Sequence, residues 1–359
     1  MNGRRIFADI KAKGFDCAVF FDEISQQYLS DFYTTDGVVI VSATETALIT
    51  DGRYIEAAEA EKAKGRLSDD VNVYLFKKGL LADVNEYLSS LNAKRVCVDP
   101  ALITVKQLED LKAACPDAEF GYLADVCLNY RRVKTQAEVE KIKAAQSITD
   151  KAYSHILGFI NKNRTEIEIA AELEYFMRKN GAEGLAFETI SVSGSNSSLP
   201  HGVPTQSRVT ENSFLTMDYG AKLGGYCSDM TRTVVVGKAD KEMKKIYNTV
   251  LTAQAEAMKF IKAGVSCFDA DKVARDVIAD AGYGQYFTHS LGHSLGLEVH
   301  EAPACSPRSK DILVAGNIVT VEPGIYIPGK YGVRIENMVL VTENGCENLT
   351  NSDNSLVEI

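Results

Sequence analysis

The chain has 359 residues, 45% of them hydrophobic, and a formal net charge of −10 at pH 7. This length and apolar content are sufficient for two folded domains with substantial cores. The acidic balance, without any lysine- or arginine-rich stretch, argues against nucleic acid as a partner, and no apolar run approaches the length of a membrane span. The eight cysteines are scattered singly, which is typical of reduced thiols and predicts a cytoplasmic protein.

Short apolar strands alternate with helical segments along the first part of the chain. The predicted strands are residues 17–21, 37–41, 46–50, 71–75 and 95–98, and the predicted helices are 54–64, 80–91 and 105–114. This alternation predicts an α/β domain, which we assign to residues 1–125. The domain has no histidine and no carboxylate cluster of metal-ligand type, so we expect it to be structural, a lid or a dimer surface.

The second part of the chain, after a break expected near residues 126–134, combines helices with strands. Thr135 and Thr165 each precede a glutamate by three residues, in the capping-box pattern that begins a helix, and Gly181 is placed to end the second of these helices. Further helices are predicted at 241–261 and 268–281, and strands at 214–219, 226–236, 318–322 and 332–341. We therefore predict an α+β domain with a mainly antiparallel sheet over residues 130–359.

Four of the five histidines lie in two short segments that contain glycine. His289, His293 and His300 fall between Thr288 and Glu301, and His201 lies upstream, directly after a proline. Histidine is the commonest metal ligand and titrates near neutral pH, so this crowding indicates chemistry rather than surface placement. The pattern does not match the helical His-Glu-x-x-His zinc motif, so further ligands must come from elsewhere in the chain.

Four acids stand at the ends of apolar strands or inside them. Asp218 ends one strand, Asp229 follows a glycine-rich turn, and Glu322 precedes a Pro-Gly turn. A hairpin would bring Asp218 and Asp229 together, and a carboxylate in such a strand is costly unless it is paired or bound to metal. Taken alone, each aspartate fits an ordinary turn residue. Arg334 and Glu336, which share a face if the strand is continuous, fit a simple ion pair.

Together with His293, these acids make a set of four carboxylates and one imidazole. Four carboxylates balance the charge of two divalent cations, which lie about 3.5–4 Å apart in two-metal sites. Oxygen-rich ligation favours manganese, with cobalt or zinc as alternatives. Because such ions lower the pKa of a water and polarise a carbonyl, the set predicts metal-dependent hydrolysis.

The order and spacing of these residues resemble a known family. The motifs are Asp218-x10-Asp229, Gly292-His293-x-x-Gly296-x-x-x-His300-Glu301, Val321-Glu322-Pro323-Gly324-x-Tyr326 and Gly332-Val333-Arg334-x-Glu336. They are similar to those of the pita-bread metallopeptidases, and more narrowly of the Xaa-Pro peptidases, aminopeptidase P and prolidase. The resemblance extends over nearly the whole chain, since Thr50 to Tyr54 resembles the creatinase-type N-terminal domain of that family.

The resemblance implies a pita-bread catalytic domain with a curved, mainly antiparallel sheet and a dinuclear metal centre. The metal ligands would be Asp218, Asp229, His293, Glu322 and Glu336. Asp229 and Glu336 would be shared by two divalent ions, and Glu322 would also accept a proton from the attacking water.

The resemblance further implies residues that act on the substrate. His201 would contact the substrate carbonyl and the developing oxyanion, and His300 would shuttle a proton to the proline nitrogen. His289, Tyr326 and Arg334 would form the substrate-binding pocket, with Tyr326 and Arg334 either lining it or supporting the residues that do. The implied substrates are small peptides with proline at the second position, and the implied assembly is a homodimer.

One position departs from the family pattern. Ala304 stands where some prolidases have an arginine for the C-terminal carboxylate of a dipeptide, with Arg308 nearby in sequence. This departure keeps peptides longer than dipeptides among the expected substrates.

Three related classes are alternatives. Methionine aminopeptidases share the five ligands but normally lack a leading α/β domain. Creatinase has both domains, but its site resembles one without metal, in which the ligand acids are replaced, whereas all five ligands are present in this chain. Non-enzymatic pita-bread binding modules have lost their ligands, whereas this chain retains all five.

Overall fold

Strands and helices alternate in the first part of the chain, as its hydrophobic pattern predicts. The computed structural model describes residues 2–359 and divides the chain into two compact units between Tyr130 and Arg131. The helices here are α1 (Asn2–Ala12), α2 (Glu23–Ser30), α3 (Ile55–Ala63), α4 (Leu80–Ser90), α5 (Val105–Ala114) and α6 (Val126–Arg131). The strands are β1 (Cys17–Phe20), β2 (Gly37–Ser42), β3 (Thr46–Thr50), β4 (Val71–Leu75), β5 (Arg95–Val98) and β6 (Glu119–Tyr122).

The six strands of the first unit form one mixed sheet in the order β4-β3-β2-β1-β5-β6. Its central strands are fully buried, with Val38, Ile40 and Val96 at 0% exposure, because helices cover apolar faces of the sheet. This confirms the predicted α/β class. The hydrophobic pattern did not predict α1, α2 or β6. The short helix α6 occupies the first part of the break that was expected after residue 125.

The second unit is built from four long helices and several antiparallel sheets. Its helices are α7 (Gln136–Ile156), α8 (Glu166–Lys179), α9 (Lys241–Phe260) and α10 (Cys267–Asp280). Its first six strands are β7 (Gly184–Leu185), β8 (Ile190–Ser193), β9 (Ser213–Tyr219), β10 (Ala221–Leu223), β11 (Tyr226–Cys227) and β12 (Met230–Val236). The remaining strands are β13 (Gly292–Ser294), β14 (Glu301–Cys305), β15 (Ile318–Val321), β16 (Gly324–Ile327), β17 (Tyr331–Arg334), β18 (Asn337–Val341) and β19 (Cys346–Asn348).

The helix boundaries of the second unit follow local chemistry that the sequence displays. Thr135 and Thr165 both form complete capping boxes, each accepting from the backbone of a glutamate three residues on. Gly181 follows α8 with a φ of +104°, a left-handed conformation that glycine adopts without strain. The predicted helices therefore begin and end within a residue or two of their expected positions.

Two of the strands predicted as continuous are interrupted. The segment 226–236 breaks between β11 and β12 at Ser228 and Asp229, and the segment 332–341 breaks between β17 and β18 at Ile335 and Glu336. At the second break the backbone bonds elsewhere: the amide of Glu336 donates to the carbonyl of Thr231 at 3.1 Å. Each interruption thus falls at an acid that the sequence singled out.

The sheet β8-β9-β12 separates two hydrophobic clusters of the second unit. Leu215, Met217 and Tyr219 of β9 pack in the cluster that includes α7 and α8, whereas Phe214 packs in the cluster of α9 and α10. Because side chains alternate along a strand, Asp218 lies on the same face as Phe214, away from α7 and α8.

Candidate metal centre and active site

Asp218 and Asp229 lie together at one end of the β9–β12 ladder. The register pairs Met230 with Tyr219 and Thr231 with Asp218, so Asp229 follows directly beyond the last pair. Oxygens of Asp218, Asp229 and Glu336 all lie within 4.8 Å of one another, and all three residues are buried. The predicted hairpin therefore forms, although the turn between its strands is itself a small hairpin of β10 and β11.

His293 and Glu322 complete this group from a different sheet. Nε2 of His293 is 3.3 Å from Oε1 of Glu322 and 3.7 Å from Oδ2 of Asp229. Both residues are fixed through Thr320, whose hydroxyl accepts from the amide of His293 at 3.0 Å and donates to Glu322 at 3.0 Å. The structure thus brings together all five residues proposed as ligands from sequence.

Two glycines of the histidine segment allow its close packing. A Cβ on Gly292 would clash with the carbonyl oxygen of Thr320, the residue that fixes His293 and Glu322. A Cβ on Gly296 would lie 2.8 Å from both carboxylate oxygens of Glu301. These glycines therefore allow a close approach that a side chain would block.

The five residues face a cavity of about 540 Å³. Its wall also includes His201, His289 and His300, together with apolar groups such as Val203 and Ile190. The rings of His293 and His300 meet edge to face at a centroid distance of 4.4 Å. A cavity of this size, with apolar walls and a few convergent polar groups, is typical of a small-molecule or peptide site.

Arg334, Tyr326 and His289 form a hydrogen-bonded chain beside the acids. Nη1 of Arg334 donates to the Tyr326 hydroxyl at 2.7 Å, and that hydroxyl is 2.9 Å from Nε2 of His289. Arg334 also donates to Asp218 at 2.5 Å, to Thr231 at 2.9 Å and to the carbonyl of Pro200 at 3.0 Å.

Tyr326 lies behind the cavity wall. It is 4% exposed and is not among the residues that line the cavity. The hydroxyl lies between Arg334 and His289, so it supports those two side chains instead of facing a substrate. Of the two positions expected for Tyr326, these contacts favour the supporting one, and a role in substrate binding stays a prediction.

Comparison with known proteins identifies the family. Residues 140–343 match the model of metallopeptidase family M24, and residues 4–133 match the creatinase/prolidase N-terminal domain. The chain belongs to metallopeptidase family M24. A Xaa-Pro dipeptidase of Pyrococcus horikoshii is 36% identical over 354 residues, which cover 99% of this chain and 98% of that protein.

Solved structures of M24 relatives share the fold over the whole chain. A Xaa-Pro dipeptidase from Bacillus anthracis superposes with a TM-score of 0.94 at 39% identity, covering 100% of this chain and 99% of that one. An X-Pro aminopeptidase from Thermotoga maritima gives 0.93 at 36% identity, with both chains fully covered. These matches confirm the predicted two-domain pita-bread architecture.

The M24 family implies divalent metal ions, and the acids of this chain suit them. Oδ1 of Asp218 and Oε1 of Glu336 are buried and have no hydrogen-bond partner among residues 2–359. Burial, followed by repulsion from neighbouring acids, raises the pKa of Asp229 and of Glu336, and burial raises that of Glu322 to about 8. Crowded carboxylates without cations resist ionisation, and bound cations would satisfy both the charge and the orphaned oxygens.

Two histidines of the cavity wall, His289 and His300, are held neutral by their surroundings. Burial, with the nearby Arg334 charge, lowers the pKa of His289 to about 3. Burial also lowers the pKa of His300, with His293 and His201 contributing in the same direction. Both imidazoles therefore enter a reaction as neutral groups at neutral pH.

A buried ion network next to His300 was missed in the sequence. The Glu301 carboxylate accepts hydrogen bonds from Nη2 of Arg131 at 2.5 Å and from Nζ of Lys134 at 3.1 Å. Lys134 also donates to the hydroxyl of Ser294 at 3.0 Å. Arg131 and Lys134 lie in the segment read as a break, where single cations give no pattern. The network holds the side chains of Ser294 and Glu301, the residues that directly follow His293 and His300.

Proposed function

We propose that this chain is a metal-dependent exopeptidase that hydrolyses the bond between an N-terminal residue and a following proline. The observation that supports this most directly is the group of buried acids with orphaned oxygens in a cavity of peptide size. The names of full-length relatives, a Xaa-Pro dipeptidase and an X-Pro aminopeptidase, support the substrate class.

The metal complement follows from the ligand set. Asp218, Asp229, His293, Glu322 and Glu336 would hold two divalent ions per chain, with Asp229 and Glu336 shared between them. Manganese is the proposed ion because four of the five ligands are carboxylates, which suit a hard cation better than a thiolate-preferring one. When bound, such ions supply Lewis acidity that activates a water and polarises the scissile carbonyl.

The proton acceptor would be Glu322. With cations bound beside it, the Glu322 carboxylate would be ionised and so free to take up a proton from the attacking water. Thr320 holds one carboxylate oxygen of Glu322 by a hydrogen bond, so this residue has a fixed orientation for the transfer.

His201 and His300 would act on opposite ends of the breaking bond. His201 is exposed on the cavity wall, where its ring nitrogen would donate to the carbonyl oxygen as negative charge develops there. His300, neutral at the outset, would accept a proton during the reaction and pass it to the proline nitrogen.

The preference for proline has a physical basis. A bond before proline is a tertiary amide without an N–H, so an enzyme that grips the scissile N–H binds it poorly. The proposed site needs only the carbonyl oxygen and a proton donor for the leaving nitrogen. His289 and Arg334, which line the cavity near Tyr326, would form the pocket wall for the ring.

A peptide panel tests the proposed function. The purified protein, loaded with manganese, is assayed on Xaa-Pro and matched Xaa-Ala peptides. We expect cleavage of the proline series and much poorer cleavage of the alanine series. Preferred cleavage of Met-Ala peptides would favour a methionine aminopeptidase, and binding without turnover of any peptide would favour a binding module.

Two further properties are proposed with the function. We propose a homodimer, which light scattering of the purified protein would test. We also propose a cytoplasmic location, supported by eight free cysteines of which seven are buried, and fractionation of the source cells would test it. No helix within residues 2–359 is long and apolar enough to cross a membrane.

A further inference from the structure

The segment before β8 places two unpaired polar side chains at the cavity. Glu188 and Thr189 both line it, between Phe187 and Ile190. Glu188 is exposed and makes no hydrogen bond or ion pair within residues 2–359. Thr189 is 5% exposed, and its hydroxyl is buried without a hydrogen-bond partner in the same part of the chain. A buried hydroxyl without a partner costs free energy, so this one calls for a partner that the protein itself does not supply.

The position of this segment relative to the acid cluster is set by strand register. Ile190 pairs with Asp218 across the β8–β9 ladder. Glu188 is two residues before Ile190 in the chain, so their Cα atoms are roughly 6–7 Å apart for extended backbone. A substrate whose scissile carbonyl lies at the acids would therefore have its neighbouring groups within reach of the Glu188 side chain.

Among the acids of the cavity wall, Glu188 is the one that lies outside the proposed metal-ligand cluster. The other lining acids belong to the cluster of Asp218, Asp229, Glu322 and Glu336. Arg334 is the single lysine or arginine among the lining residues, and its donors already serve Asp218, Tyr326 and Pro200. Glu188 is thus a carboxylate without a hydrogen-bond or ion-pair partner within residues 2–359, and a cation is the ligand that it attracts.

We propose that Glu188 binds an ammonium group of the substrate residue whose carbonyl is cleaved, with the Thr189 hydroxyl accepting a second hydrogen bond from it. This inference rests on the exopeptidase activity proposed above. In such a reaction the substrate's α-ammonium must enter the cavity, whereas the C-terminus of a longer peptide can remain outside. A lysine side chain at the N-terminal residue offers the same chemistry at the end of an apolar stem, which Phe187, Ile190 and Val203 would contact.

The experiment separates these two sources of the ammonium group. Wild-type enzyme and Glu188→Gln are compared on Lys-Pro-Ala and norleucine-Pro-Ala, which differ by one charge at nearly equal length. Glu343→Gln is the matched control, because Glu343 is exposed and is not part of the cavity wall. A charge-assisted contact predicts a decrease of about tenfold or more in kcat/KM for Glu188→Gln. A decrease for both peptides assigns Glu188 to the α-ammonium, and a decrease for Lys-Pro-Ala alone assigns it to the side chain; either result supports the proposal.

Two results would overturn the proposal. One is a kcat/KM for Glu188→Gln within twofold of the Glu343→Gln control on both peptides. The other comes from a third peptide, norleucine-Pro-Lys, assayed in the same way: a decrease confined to this peptide would put the contact on the leaving-group side. Calorimetric titration of each protein with free lysine and norleucine gives a readout that does not need turnover. If no Xaa-Pro peptide is cleaved but Glu188→Gln still weakens amino-acid binding at least about tenfold, the proposed function fails while the ammonium site stands.

Discussion

Arg334 donates from Nη2 to Oδ2 of Asp218 over 2.5 Å, while Oδ1 of the same carboxylate has no hydrogen-bond partner within residues 2–359. The two oxygens of Asp218 therefore have different environments: one is fixed by a guanidinium and the other is open to a cation. Sequence alternation had allowed Arg334 to pair with Glu336 instead. Because the strand ends at Arg334, Glu336 turns to Thr231, which donates to it at 2.6 Å.

Replacement of Asp229 tests the shared metal ligand. We expect Asp229→Ala to lose at least one of two metal ions per chain, because no other side chain can replace a carboxylate shared between the ions. Elemental analysis after metal loading measures the stoichiometry. The control Asp276→Ala removes an exposed acid that pairs with Lys272 outside the cavity, and this variant should retain both ions. Unchanged stoichiometry in Asp229→Ala would contradict the shared role.

The metal-free protein should lose stability as pH rises. Glu322 has an ordinary pKa of 4.5 and a folded-state pKa of about 8, so the folded state binds more protons than the unfolded state between these values. Its contribution to folding is therefore fully present below pH 4.5 and is lost as pH rises toward 8.

Denaturant unfolding in the presence of a chelator, from pH 5 to 8.5, measures this slope. Glu322→Gln should reduce it and leave the part due to Asp229 and Glu336, whose pKa values are also raised, and added manganese should remove it by replacing protons with a cation. A slope of equal size in Glu322→Gln would show that other groups cause the pH dependence.

His201 and His300 should be needed for turnover but not for metal binding. Each change to alanine is expected to lower kcat by about 10²–10⁴-fold, the usual range for a lost acid–base or polarising group, with metal content preserved. His155 offers a matched control, since it lies outside the cavity and pairs with Glu172. Near-normal turnover in both cavity variants would remove these histidines from the mechanism.

Tripeptides should be cleaved at least as well as dipeptides. The single cation in the cavity wall, Arg334, is already engaged, Ala304 supplies none, and Arg308 is exposed and is not part of the lining. A missing charge-assisted hydrogen bond removes about 1.5–3 kcal/mol of binding free energy. The free C-terminal carboxylate of a dipeptide therefore adds little affinity relative to a tripeptide. Rates of Xaa-Pro and Xaa-Pro-Yaa cleavage measure this. Exclusive cleavage of dipeptides would require a cation that the lining lacks.

Glu301 should be essential for stability. Although burial opposes ionisation, Lys134 and Arg131 lower the pKa of Glu301, and Glu301→Gln would leave Lys134 buried without its counter-ion. We expect a loss of about 3–5 kcal/mol in the free energy of unfolding. Glu298, the other acid that pairs with Arg131, is half exposed. Glu298→Gln should therefore lower the free energy of unfolding by only about 0–1 kcal/mol. Equal urea midpoints for the two variants would contradict this account.

The sequence alone determined the fold classes and most helix boundaries. Capping boxes at Thr135 and Thr165 act within one turn of helix, so their effect is visible without the rest of the chain. The acids and histidines proposed for the site were also singled out in the sequence, the acids because a carboxylate at the end of an apolar strand is locally costly and the histidines because they crowd into two short segments. Their individual roles came from the family resemblance.

The tertiary structure alone decided how these groups are partnered. Glu336 sits in a break between strands where its amide bonds to the distant Thr231, and Asp229 sits in another, beside Ser228, whose amide bonds to Ala221. Local periodicity does not record either break. The same holds for Tyr326, which lies behind Arg334, and for Arg131 and Lys134, which meet Glu301 from more than 160 residues away. Pairing of buried charges depends on which surfaces the fold brings together, and this is a property of the packed chain and not of any one segment.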